Sequence, residues 1–253
     1  MVKTSKHKGE MNIFVNKKRV IINIVAPLCG VAAFIGVWFA VAASVGKTVI
    51  LPTPIETLKA FFSLLSQSEF YRSVGMTLAR TLLSFIIAFS LACLFAVLSY
   101  LCYFFKRAFS PITLMMRVMP TISIILLVFI WFDSEISPYV ITFFVIFPML
   151  YTVVANAFDG VDRGLLEMAK AYRIPLCRKI FRLYIPQMAP SVLTGISISL
   201  PFSVKLTIAA EVLAFTKESM GRNLKQQSSY LETPSLLAWT LAAILLGFLL
   251  EGL

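Results

Sequence analysis

Residues 159–195 read DGVDRGLLEMAKAYRIPLCRKIFRLYIPQMAPSVLTG, a long polar segment walled in by apolar runs on both sides. A segment of this polarity belongs outside a bilayer while its neighbours belong inside it. Leu165, Met168, Ala169 and Tyr172 fall at i, i+3, i+4 and i+7, the spacing that draws an apolar stripe along a short helix. Asp159 or Asp162 can cap its start. Pro175 suits the first turn of a second helix running to about Tyr184, with Leu176, Ile180 and Leu183 on one side and Arg178, Lys179 and Arg182 around the rest. Pro186 and Pro190 set the angle at which the chain re-enters an apolar region. The expectation is a helix-turn-helix insert that offers a small apolar knob.

The flanking sequence sets the rest. Of 253 residues, 59% are hydrophobic and 14% charged, far below the quarter or so usual in soluble domains, so the chain is all-α and membrane-embedded, with room for about six spans of about 20 residues. Expected spans run from Val20 to about Val45, Val74 to Tyr100, Pro111 to Phe132, Ser137 to Asn156, Ala189 to Leu213 and Pro234 to Leu253. Ala40 and Ala42 mimic a signal-peptidase site, but the apolar run before them is too long for a signal peptide, so the first span is read as uncleaved. Ile55, Leu58, Phe62 and Leu65 share a helical face in a segment expected on the outer surface. Arg80 is expected near the outer end of the second span, reaching for headgroups. Pro120 and Pro148 bend their spans, either to line a cavity or to fit the packing. Residues 215–233 are expected as an exposed outer stretch. The chain ends almost inside its last span, so a tail is missing or that helix barely reaches the cytoplasm.

Charge fixes orientation. Fourteen basic residues fall in the basic tail 1–19, at Lys106 and Arg107 and in the polar loop, against six in the segments between. That excess puts both termini and the loop in the cytoplasm. The formal charge of +11 belongs to this asymmetry rather than to nucleic acid, since no basic groove with interleaved aromatics stands clear of apolar runs. One histidine, His7, and four scattered cysteines offer no metal or cofactor ligand set and no histidine-driven nucleophile. A glycine-rich phosphate loop is absent too, so uphill transport would need energy from a partner.

Lys205 sits mid-span with Ser203, Thr207 and other hydroxyls around it, and a lysine there costs about 2.5–3.5 kcal/mol unless it meets water or an acid. Ser203, Lys205 and Thr207 are therefore candidates for a translocation path favouring an anionic or polar solute. The alternative is a structural lysine paired with another span or subunit.

The segment at 159–195 resembles the EAA loop of the membrane subunits of bacterial ABC importers: Glu167, Met168 and Ala169, then Leu183 three residues before Pro186, with Pro190 and Gly195 beyond. Met168 stands where that family usually has alanine and Arg173 where it has glycine, a residue that disfavours the left-handed turn. LPTP at 51–54, TLARTLLSF at 77–85, RVMPTISIILLVFIWF at 117–132, FFVIFPMLYTVVANAFDGV at 143–161 and AAEVLAF at 209–215 extend the likeness to the nitrate, sulfonate, taurine and thiamine-precursor branch. The resemblance implies a type I ABC importer permease fold in the bacterial inner membrane, one domain over 20–253 with a coupling loop at 158–187. It implies a homodimer with separate ATPase subunits and an extracytoplasmic solute-binding protein, surrounded by lipid. It further implies that Leu165, Leu166, Glu167, Met168, Ala169 and Tyr172 dock in a groove of the ATPase. Glu211, in the AAEVL run, is expected to cap the outer gate or the approach of the binding protein. An ion-coupled transporter or channel remains the alternative.

Overall fold

The computed structural model describes residues 25–252, apart from the side chains of Leu176 and Cys177. The basic tail and the start of the first span lie outside the described residues. Eleven α-helices, one π-helical turn and no strand occur among them. In chain order they are α1 (Val25–Val45), α2 (Pro54–Leu65), α3 (Ser68–Leu101), α4 (Tyr103–Val118), α5 (Thr121–Trp131), α6 (Ser137–Asp159), α7 (Arg163–Ala171), α8 (Leu176–Lys179), α9 (Ile185–Ala214), α10 (Met220–Ser229) and α11 (Thr233–Glu251). Helices α1, α3, α6, α9 and α11 are long and apolar enough to cross a bilayer, and α4 with α5 reaches that length and apolarity only when its two bent halves are taken together.

The centre is α3 against α6, with α9 closing over α6. Helix α3 packs through small residues: Ser73, Thr77, Thr81, Ser84, Ala88, Ala92, Ala96 and Ser99 are all buried. Its large side chains Leu83, Ile86, Ile87, Leu94 and Leu98 point outward. Lipid tails are as apolar as leucine, so burying leucine gains little there, whereas a ridge of small residues lets helices approach closely. Against that ridge α6 sets Ile146, Phe147, Leu150, Tyr151 and Val154. The Ser99 and Tyr151 hydroxyls are 2.8 Å apart at one end.

Close approach recurs at two glycines. A Cβ on Gly221, in α10, would lie 2.4 Å from the Glu211 Cβ, 2.6 Å from the Val212 nitrogen and 2.7 Å from the Ile208 oxygen. Two of those three atoms are backbone and have no rotamer to change. Gly221→Ala should therefore destabilise the purified protein by about 1–3 kcal/mol, read as a lower thermal midpoint in detergent. At Gly195 the three atoms nearest an added Cβ all belong to the Val153 side chain, Cγ1 at 2.3 Å, so there it is a side chain that must shift.

Several segments depart from the sequence expectations. The LPTP motif is a helix start: Pro52 and Pro54 are buried, and Thr53 and Glu56 form a reciprocal capping box for α2. Ile55, Leu58 and Phe62 face outward while Thr57 and Leu64 face in, because α2 is apolar on both sides and periodicity alone does not say which side packs. The third span is two helices meeting at 97° around Met119 and Pro120, where the proline cannot donate and the ladder stops. Residues 215–233 are not all exposed: Thr216, Ser219, Met220 and Gly221 are buried, and α10 packs on α9 and α11. Helix α1 stands apart, touching the body through Ala42 and a Trp38 Nε1 hydrogen bond to the Pro52 oxygen at 3.1 Å.

Candidate functional site

At one end of the bundle the polar loop folds into α7. Of the two possible caps it is Asp162 that acts, its carboxylate accepting from the Gly164 and Leu165 amides at 2.7 and 3.3 Å. Asp159 instead pairs with Lys106 at 2.7 Å. Ala169 is buried and Leu166 packs on the main core, so α7 is seated by these two. Leu165, Met168 and Tyr172 face away, Tyr172 with 78% of its surface exposed, and Glu167 is exposed between them. The expected stripe is therefore split: Ala169 holds the helix and the other three form a free apolar edge.

The turn after α7 takes the left-handed geometry in spite of its residue. Arg173 has φ 49°, its amide donates to the Lys170 oxygen, and the Ile174 amide donates to the Ala169 oxygen at 3.0 Å. This pair of bonds is the Schellman closure that usually recruits glycine at the same position. Arg173→Gly should relieve about 1 kcal/mol of backbone strain, seen as slower hydrogen exchange at the Ile174 amide.

The second helix of the insert does not end before the membrane. Helix α8 runs through a π-helical turn, Ile180–Tyr184, straight into α9, a continuous rod of roughly 55 Å from Leu176 to Ala214. Pro186 explains the wide turn: it has no N–H for the Arg182 oxygen and its ring crowds that carbonyl, which a π turn moves aside. Tyr184 holds the turn to the bundle, its hydroxyl 2.8 Å from that of Tyr100 on α3.

The three residues expected to share a path divide between two faces of α9. Ser203 and Thr207 are fully buried, and Thr207 meets Thr142 of α6 at 2.9 Å. Lys205, two residues from each and so on the opposite side, is exposed and lines a groove of 460 Å³ between α9 and α11 with Pro201, Thr240, Gly247 and Glu251. Geometry thus keeps Lys205 open and commits the two hydroxyls to helix packing.

At the other end of the bundle lies a cluster that sequence distance concealed. Arg80, 2% exposed, does not reach outward; it bonds Glu211 at 3.1 Å and Glu135 at 3.2 Å, and donates to the Lys217 and Glu218 carbonyls. The Glu211 carboxylate, 0% exposed, also accepts from the Thr77 hydroxyl at 2.9 Å and the Gly221 amide at 3.2 Å. Glu135 accepts in addition from the Lys217 amide at 2.9 Å. One guanidinium thereby ties α3 to the end of α9, the α9–α10 link and the turn before α6. Each of these charges sits in or beside an apolar run and needs a partner there, which is the one sequence signal that could have joined them.

A family model described as the binding-protein-dependent transport system inner membrane component matches residues 103–253. The chain is 28% identical to the putative aliphatic sulfonates transport permease protein SsuC of Escherichia coli, over 90% of this chain and 87% of that one. It is 25% identical to the formylaminopyrimidine transport permease protein ThiX of Halalkalibacterium halodurans, over 84% and 85% respectively. In fold it is similar to a chain of the MetNI methionine ABC transporter in inward-facing conformations, with a TM-score of 0.62 at 18% identity, covering 72% of this chain and 90% of that one.

Proposed function

Because the chain belongs to the inner membrane components of binding-protein-dependent transport systems, we propose that it carries a small polar or anionic solute into the cell between two copies of itself, driven by separate ATPase subunits. A solute-binding protein delivers the solute from outside. The chain is one permease domain over 20–253, with the tail 1–19, both termini and the loop at 158–187 in the cytoplasm, in line with the basic excess on that side. The observation that carries the proposal is the free edge of α7. Leu165, Met168 and Tyr172 face away from the protein on a helix seated by Leu166 and Ala169, and the segment after it runs unbroken into α9. A rigid rod of that kind passes a rigid-body push from a docked ATPase into the membrane, where a loose loop would absorb it.

The relatives' names suggest aliphatic sulfonates or a pyrimidine as the class of solute, and the open amine of Lys205 suits an anion. Ion-coupled transport would need a titratable acid along the path, and the buried Glu211 is already held by Arg80, Thr77 and Gly221. The test is uptake into proteoliposomes that contain the permease, its ATPase and its binding protein. Uptake should require ATP inside and should persist when the ion gradients are collapsed. Lys205→Met should weaken uptake of an anionic solute by roughly tenfold, the effect of about 1.4 kcal/mol, and unchanged uptake would remove Lys205 from the path.

A further inference from the structure

We propose that Glu135 is a releasable latch that holds α5 closed against the bundle at the Arg80 end, and that α5 swings about the Met119–Pro120 break when it lets go. The inference rests on the transport function proposed above. Three observations point to it. The first is the hinge. Helices α4 and α5 meet at 97° through two non-helical residues, and Pro120 contributes no hydrogen bond across the break.

The second is how α5 is held. Its inward side chains Ile124, Ile125 and Val128 touch Ile141 of α6 and Ala210 of α9, contacts that lipid tails can replace at little cost. Polar ties therefore carry the hold, and they gather in the turn between α5 and α6. Glu135 bonds Arg80 and the Lys217 amide, and the Ser134 oxygen accepts from the Thr216 hydroxyl at 2.9 Å.

The third is the unequal footing of the two carboxylates on Arg80. Glu211 is fully buried and held by three groups, so that half of the cluster is permanent. The Glu135 side chain is 46% exposed, so water or an arriving polar group can compete for it. The structure thus pairs a fixed anchor with a weak tie on a hinged arm. Two arrangements of similar energy are what a gate requires.

Spin labels on two exposed sites, Ile130 of α5 and Lys225 of α10, read the arm directly by pulsed electron resonance in the permease assembled with its ATPase. With Glu135 intact the resting distance distribution should be a single short population, joined by a longer one when ATP is trapped. Glu135→Gln should show the longer population at rest, raised roughly tenfold over the parent. Arg72→Gln, which breaks the exposed Arg72–Glu218 pair at 2.8 Å and leaves the latch intact, should match the parent. Resting distributions that are the same in Glu135→Gln and the parent overturn the latch, whatever ATP does. If neither protein responds to ATP, the ATP-driven function fails instead, and the resting comparison still decides the latch.

Discussion

Arg80→Met should cost about 3–5 kcal/mol, a large part of the roughly 5–15 kcal/mol that holds most folded domains together. The reason is the acid left behind. Glu211 is completely buried, and without the guanidinium its charge is balanced only by the Thr77 hydroxyl and the Gly221 amide. Removing both charges should be much milder. In Arg80→Met combined with Glu211→Met no fully buried unpaired ion remains, since Glu135 keeps the Lys217 amide and is 46% exposed, and the pair of apolar side chains suits a site between apolar helices. Unfolding in detergent, followed by helical content, should place the double variant well above the Arg80 single variant. Equal losses in the two would mean that the cluster contributes through packing rather than charge.

The second large effect should appear in transport and leave stability alone. Glu167 is exposed at the centre of α7, among Arg163, Lys170 and Arg173 on the same segment. Glu167→Lys makes that surface wholly basic, and a like-charge mismatch with a partner shaped for a carboxylate costs several kcal/mol. Uptake in proteoliposomes should fall by roughly 100-fold or more. The thermal midpoint should hardly move, since an exposed substitution shifts stability by about 0.5 kcal/mol or less. Normal uptake would show that α7 does not meet the ATPase through this residue. A lowered midpoint would point to a role in the fold.

How far the fold could be foreseen depended on which force wrote each feature. Apolar runs of membrane length are forced by the bilayer itself, so α6 and α11 fall within a few residues of their expected bounds. The inward faces were hidden for the same reason. When lipid surrounds the bundle, hydropathy no longer separates inside from outside, and the ridge from Ser73 to Ser99 looks unremarkable beside the leucines that face the other way. Arg80 and Glu211 stand 131 positions apart, and no local pattern links them.

The helix-turn-helix insert was the more legible part. The 3.6-residue stripe, a capping aspartate and Pro175 announced α7 and its turn, and Asp162 takes the cap. What the stripe could not divide was its own two edges, because Met168 and Ala169 are both apolar and adjacent, and spacing alone does not say which of them packs inward. Arg173 shows the opposite limit. Its intrinsic preference opposes φ 49°, yet the two backbone bonds that close the turn outweigh about 1–2 kcal/mol of strain. The merger of α8 with α9 was missed because Pro186 and Pro190 read as a break, whereas a π turn carries the helix past the first of them.

The central claim is that α7 is the face on which the ATPase pushes, and a single cross-linking experiment tests it most directly. A photoreactive amino acid placed at Met168, in the full permease co-expressed with its ATPase, should on illumination yield one dominant adduct whose partner is the ATPase. The same probe at Leu126, exposed on α5, should yield none. Adducts from Leu126 but not from Met168, or capture of the external binding protein by Met168, would contradict the account.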